Sequence, residues 1–360
     1  MEIKRLKEVA NLNMGQSPAS ESYNSEGKGI PFFQGKADFG RVNPVVRMYC
    51  SSPNKIAIEN DILMSVRAPV GDVNLSNLTC CIGRGLAAIT PKYEIMNYKY
   101  LYYALINMKD RISSLGTGST FKAINKGILE NIEVPVPSLE EQQLVTEALN
   151  KVQELIDKRQ VQIEACDELV KSLFYHMFGD DRVNNKGWDL KSWCEVFSTT
   201  TGKLDANAMN ENGKYPFFTC AKEVSWINEY SFDGEALLLA GNNATADYDV
   251  KYYNGKFNAY QRTYVLTLNN QLDCYKFFRI SLENKLKDLK DNSIGSNTKY
   301  LTLKILNDIS FIVPPSSIQN RFAEQVKKIE QQKQRLQQSL TELENNFNAL
   351  MQRAFKGELF

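Results

Sequence analysis

Of the 360 residues only one is histidine, His176, so neither a histidine metal cage nor a mechanism needing two imidazoles fits this chain. Seven cysteines, at positions 50, 80, 81, 166, 194, 220 and 274, are scattered with no C-x-x-C pair. An odd, unpatterned set reads as reduced thiols of an intracellular, cytoplasmic protein rather than a disulfide or zinc framework. Gly116-Thr117-Gly118-Ser119-Thr120 is glycine-rich but lacks the lysine and the strand-to-helix setting of a phosphate loop. Asp38-Phe39-Gly40 imitates a kinase metal-binding triplet, yet no partnered glycine-rich loop and no H-R-D stretch accompany it. Asn43-Pro44-Val45-Val46 falls short of the N-P-P-[YF] motif of an amino-methyltransferase. His176 stands beside an apolar helix position, where a structural role outweighs a catalytic one. No nucleophile–base set and no carboxylates at metal-ligand spacing remain. The chain reads as non-catalytic, with no metal and no cofactor of its own.

The elements that carry these residues follow from composition and pattern. At 43% hydrophobic and 24% charged residues, the chain can bury real cores and is long enough for two or three domains. No run of about 18 apolar residues exists, so no membrane span is expected. The opening Met1-Glu2-Ile3-Lys4-Arg5 lacks the apolar stretch of a secretory signal. Basic residues number 43 against 42 acidic ones, which does not by itself announce a polyanion partner. By segment, 1–138 is net +4, 139–178 net −4, 179–315 net −1 and 316–356 net +3. The first block permits a polyanion contact without demanding one.

The chain repeats itself. Gly118-Ser119 with Lys122 recurs 177 residues later as Gly295-Ser296 with Lys299. Ile128-Leu129, Ile132, Pro137 and Gln142 find Ile305-Leu306, Ile309, Pro314 and Gln319 in the same register. Nearer the start the offset drifts, to 185 at Pro31-Phe32-Phe33 and Pro216-Phe217-Phe218. Lost surface-loop residues account for the drift. Two copies of a unit near 177 residues make a tandem duplication with pseudo-twofold symmetry.

Each copy has two unlike parts. The first is rich in short β-type runs, such as Ile62–Val66 and Leu86–Ile89, matched by Ala236–Ala240 and Thr263–Leu266. A helix pattern then follows, with Leu101, Leu105 and Met108 in one copy and Phe278, Leu282 and Leu286 in the other. The second part is one long helix after a proline signal, with Leu139-Glu140-Glu141 placing acids in the first turn of copy one. Steps of four and three run Val145, Leu149, Val152, Ile156, Arg159, Ile163, Cys166, Val170, Leu173, Met177. Copy two gives Phe322, Val326, Ile329, Lys333, Leu336, Leu340, Leu343, Phe347, Leu350, Ala354. One charged exception in each, Arg159 and Lys333, leaves a heptad seam. Packing of each stripe on its own domain is the competing explanation. The helices are expected to pair antiparallel as a coiled coil, over a seam of roughly 48 Å from position 145 to 177 at the helical rise.

A block, a long helix, a second block and a second long helix resemble the specificity subunit of Type I restriction-modification systems. The likeness rests on Gly118-Ser119 through Ile132, on Val134-Pro135-Val136-Pro137 and on Leu139-Glu140-Glu141-Gln142-Gln143. The ending Ala354-Phe355-Lys356-Gly357-Glu358-Leu359 is similar too. Copy two departs from the pattern, with Ile318-Gln319-Asn320 in place of a Glu-Glu-Gln run. The resemblance implies an α+β protein with β-rich target-recognition domains at 1–138 and 179–315 and spacer helices at 139–178 and 316–356. Each domain would read one half of a bipartite, asymmetric site in double-stranded DNA. The helices would hold the domains apart and dock two modification subunits, which carry S-adenosylmethionine and methylate adenine. A restriction subunit is an optional further partner, and no membrane is involved.

Under that resemblance, base reading needs paired donors and acceptors on loops, with phosphate clamps around them. The candidates in block one are Gln34, Lys36, Arg41, Arg67, Arg84, Ser119, Thr120 and Lys122. In block two they are Thr219, Lys222, Asn242, Asn243, Gln261, Arg262, Ser296 and Lys299. Arg84 and Arg262, at offset 178, are expected to be equivalent, each just before a strand. Two other classes stay open: a coiled-coil assembly protein without sequence-specific DNA binding, and an enzyme whose site is assembled in unassigned loops.

The heptads generate a test of the spacer. Seven residues added after both Ile163 and Leu340 preserve the seam and lengthen each helix by about 10 Å. The unread gap in the methylated target should then grow by roughly three base pairs while both half-sequences stay the same. An unaltered gap in a folded, active complex would show that the helices do not set the spacing.

Overall fold

The computed structural model describes residues 2–117 and 122–359. They form two compact units, one of Met1–Val161 with Gln337–Phe360, the other of Gln162–Leu336. The helices Leu139–Phe178 and Ser316–Lys356 are each continuous, and each contributes one part to each unit.

In the first unit, four antiparallel strands lie in the order Ala10–Met14, Leu86–Pro91, Ile62–Ser65, Val73–Leu75. Successive side chains of a strand point to opposite faces, and here both faces are covered. Ile62, Met64, Ala87 and Ile89 enter one core, while Leu63, Leu86 and Ala88 enter another with Phe33, Ala57, Cys80 and Ile82. That is why the two central strands, Leu86–Pro91 and Ile62–Ser65, read as largely apolar runs. The second layer is a five-stranded sheet in which Ile30–Phe33 runs parallel to Cys80–Ile82.

The second unit repeats the plan. Phe232–Ala240 sends Leu237 and Leu239 to one core and Ala236 and Leu238 to the other. Six of its strands form one sheet, in which Tyr215–Phe218 is parallel to Val250–Ala259. In both units an N-terminal strand pairs with the strand just before the long helix: Glu2–Arg5 with Glu133–Val136, and Asp189–Ser192 with Ser310–Val313. The short helices Lys126–Glu130 and Leu303–Asn307 are also equivalent, capped by the side chains of Asn125 and Thr302.

The apolar stripe of each long helix is shared between two tasks. In the first unit Val145, Leu149 and Ile156 join Phe347, Met351 and Ala354 in one core, with Val152, Leu340, Leu343 and Leu350 at its margin. That same core holds Tyr100, Leu101 and Tyr103, and the Tyr103 and Phe347 rings meet edge-on at 6.0 Å. In the second unit Phe322 and Val326 pack with Phe174, Phe178 and Phe277, while Val170, Leu173 and Met177 are half-buried beside them. Cys166 and Leu336 are buried, and Ile163 and Ile329 half-buried. Packing of helix on helix and packing of helix on its own domain therefore coexist. Phe174 and Phe178, buried members of the stripe, fall outside the ten-position heptad reading. Lys333 has a reason to interrupt the seam: its ammonium lies 2.6 Å from Asp167 of the first long helix.

The junction of block and helix is built on a fully buried glutamine in each copy. The Gln142 amide donates to the carbonyls of Ile95 (3.0 Å) and Pro137 (2.9 Å) and accepts from the Asn97 N–H at 2.8 Å. Gln319 repeats this with the Asp273 carboxylate (3.1 Å), the Pro314 carbonyl (2.8 Å) and the Cys274 N–H (2.9 Å). The altered run Ile318-Gln319-Asn320 thus keeps the one side chain that makes the joint. At the first helix start, Ser138 and Glu141 form a reciprocal cap. Hydrogen bonds from the Ser138 hydroxyl and backbone hold the Glu141 carboxyl below its ordinary range.

Losing the Gln319 amide strands buried donors and acceptors, a cost of about 1–3 kcal/mol. All three tryptophans, Trp188, Trp193 and Trp226, lie in the second unit. Gln319→Ala should therefore lower the urea midpoint followed by tryptophan fluorescence. An unmoved midpoint would remove the joint from the account of stability.

Candidate nucleic-acid interface

Strand ends and tight turns bring four of the block-one candidates to one place. Gln34, Lys36, Arg67 and Arg84 line a cleft of about 450 Å³ together with Phe32, Met48 and Pro69. The Gly83 N–H donates to the Phe33 carbonyl at 2.8 Å, which ties the turn carrying Arg84 to the strand end carrying Gln34. The Val66 N–H donates to the Gly85 carbonyl at 2.9 Å, which fixes Arg67 beside them. Asp38 Oδ2 accepts from the Gln34 N–H at 2.7 Å and the Gly35 N–H at 3.4 Å. The Asp-Phe-Gly triplet is therefore a loop cap.

Charge pairing sorts the basic residues. Arg67 and Arg84 are exposed, and among the described residues neither has an ion-pair partner. Lys36 lies 2.9 Å from Asp72, which Lys109 also approaches at 2.6 Å. Burial pushes the Asp72 carboxyl up, but the two ammonium groups outweigh it and hold it below the usual range. Arg41 stands outside the cleft, its guanidinium paired with Asp157 of the first long helix. Lys122 is exposed, whereas Ser119 and Thr120 lie outside the described residues.

In the second unit Asn242 and Asn243 pair as a short strand with Tyr300 and Lys299. The Gly241 N–H donates to the Arg262 carbonyl at 2.8 Å, and the Leu301 N–H donates to the Gly241 carbonyl at 2.9 Å. Gly241 is required there: a Cβ would stand 2.4 Å from the Arg262 carbonyl oxygen. The Arg262 guanidinium lies over the Tyr300 ring, 5.3 Å from its centroid. Ser296 is exposed in the turn that Gly295 opens at φ +109°, a conformation that favours glycine. Other candidates are occupied locally. Thr219 is buried and accepts from the Ala221 N–H at 3.2 Å. The Asn243 amide is used within its own turn, by Thr245 and Asp247. Lys222 pairs with Asp247 at 2.5 Å, and Gln261 donates to Asp205 at 3.2 Å.

The hydrogen-bond ladders correct one expected equivalence. Phe33 accepts from Gly83 as Phe218 accepts from Tyr260, and Val66 meets Gly85 as Gly241 meets Arg262. Arg84 therefore corresponds to Gln261, and Arg262 to Gly85, one residue later. Tyr300, absent from the candidates, corresponds to Ala123. Its signal in sequence is only its place in the repeated Gly-Ser segment.

Among the described residues no cluster of His, Cys, Asp and Glu could hold a metal ion, and no helix is long and apolar enough to cross a membrane. His176 is exposed, and its carbonyl accepts from Lys186. All seven cysteines are free. Burial pushes the thiols of Cys80 and Cys81 up to about 11, whereas Cys194 is exposed. At pH 8 about one in a thousand of those buried thiols is thiolate, the reactive form. A maleimide should label Cys194 first and reach Cys80 and Cys81 only after denaturation. Equal labelling in the native protein would contradict the burial.

The type I restriction modification DNA specificity domain matches residues 1–165 and 185–345, and the chain belongs to that family. A Methanocaldococcus jannaschii chain assigned to the type I restriction enzyme MjaX as specificity subunit is 46% identical over 163 residues, 44% of this chain and 38% of that one. The type I restriction enzyme EcoDI specificity subunit of Escherichia coli is 40% identical over 176 residues, 48% of this chain and 38% of its own. These two matches take in less than two-fifths of either relative's length. The crystal structure of a Type-I restriction-modification system S subunit from M. genitalium shares the fold, with a TM-score of 0.61 at 19% identity over 98% of this chain and 96% of that one.

Proposed function

We propose that this chain is the sequence-specific DNA-binding subunit of a type I restriction-modification complex, each unit reading one half of an asymmetric duplex site. The observation that carries the reading is a recurrence. One hydrogen-bond ladder, built twice from different loop residues, presents arginines with no ion-pair partner among the described residues: Arg67 and Arg84 in one unit, Arg262 in the other. Guanidinium forks suit both guanine edges and phosphates. Different side chains on one scaffold suit two different half-sites. The chain itself supplies recognition rather than chemistry, consistent with the names of its relatives. Two modification subunits supply S-adenosylmethionine and methylate adenine, and a restriction subunit is an optional addition. The complex acts in the cytoplasm.

Arg84→Ala and Arg67→Ala test the reading directly. Each should weaken binding of duplex DNA by about 1–3 kcal/mol if it contacts a base, and relax selectivity at that position. A phosphate contact would instead weaken all sequences alike and flatten the salt dependence. Arg41→Ala, outside the cleft, serves as the comparison and should leave selectivity unchanged. Wild-type binding by both cleft variants, in folded protein, would overturn the assignment.

A further inference from the structure

We infer that Tyr300 is a specificity-determining positioning residue, whose ring sets the plane of the Arg262 guanidinium for a guanine edge in the half-site read by the second unit. The inference rests on the DNA-reading function proposed above. An arginine recognises guanine through two parallel donors, so the plane of its fork has to be fixed; a phosphate clamp has no such need. Four observations converge on Arg262. Its guanidinium is exposed with no acidic partner among the described residues, so its donors are free. It lies over the Tyr300 ring at 5.3 Å, within cation–π range. Its backbone is held by the Gly241 N–H at 2.8 Å, on a glycine that tolerates no side chain. Tyr300 is pinned in turn, exchanging backbone hydrogen bonds of 3.1 and 2.8 Å with Ile294.

The first unit lacks this device, since Gly85 and Ala123 stand at the equivalent places. The difference therefore belongs to one half-site. Of the other basic candidates nearby, Lys222 is neutralised by Asp247, and Lys299, beside Tyr300, carries an ammonium without the planar fork. Arg262 is left as the uncompensated guanidinium of that turn.

The test uses the full chain with its modification subunits and a pool of duplexes carrying a randomised central segment. Sequencing the retained duplexes gives the preference at each base of both half-sites. Arg262→Ala should erase a guanine preference at one position, a loss of roughly tenfold to hundredfold in selectivity. Tyr300→Leu should reduce the same preference about two- to fivefold, and Tyr300→Phe, which keeps the ring, should restore it. The other half-site should not change in any variant, which also reports that the protein is folded. A Tyr300→Leu profile identical to wild type, beside a changed Arg262→Ala profile, overturns the positioning role while leaving DNA reading intact. A uniform loss across all sequences with Arg262→Ala makes the contact a phosphate clamp and overturns the inference. No sequence preference in the wild type overturns both the inference and the function it rests on.

Discussion

The joint between a β-rich block and a long helix is the constraint on which both units depend, and it is made by one buried amide. Gln142 and Gln319 each satisfy the carbonyl just past a strand end and the backbone N–H that opens a helix of the block itself, Tyr98–Asn107 or Tyr275–Asn284. An amide suits this place because it both donates and accepts, and both capacities are needed where water is absent. With the joint fixed, the direction in which each helix leaves its block is fixed. The shared apolar stripe can then serve two surfaces at once.

Around that constant joint the copies have diverged in chemistry. In the first unit the helix is tied to its block by rings and an amide, with the Tyr103 hydroxyl donating to Asn150 at 2.8 Å. In the second unit, Lys276 and Arg279 both meet Glu330 of the long helix. Exposed or half-exposed ion pairs contribute little on their own, so the apolar contacts of Phe322 and Val326 dominate there. The same freedom extends to the clefts. Backbone ladders are kept and the side chains they present are changed, as the proposed reading of two unlike half-sites requires.

Sequence pattern carried the architecture because its signals are periodic and local. Steps of three and four along the helices, apolar runs in doubly covered strands and prolines at the junctions each follow from one element's own geometry. The site was less legible for a physical reason: ion pairing is not local. Nothing near Arg41 announces Asp157, and nothing near Lys36 announces Asp72. Sequence offset alone aligns Arg84 with Arg262, one residue out of the register that the hydrogen bonds of Gly85 and Arg262 define. Tyr300 was missed because an aromatic residue in a loop gives no periodic signal. Only the fold brings the Arg262 guanidinium over its ring.

If the two units read separate half-sites, recognition must be exchangeable by halves. Replacing residues 179–315 with the block of another family member, in cells that supply the modification subunits, tests this most directly. Methylated adenines would be mapped across the host DNA. The account predicts that one half of the methylated sequence changes while the other half and the gap remain. A change in both halves, or in neither with the complex still active, would contradict it.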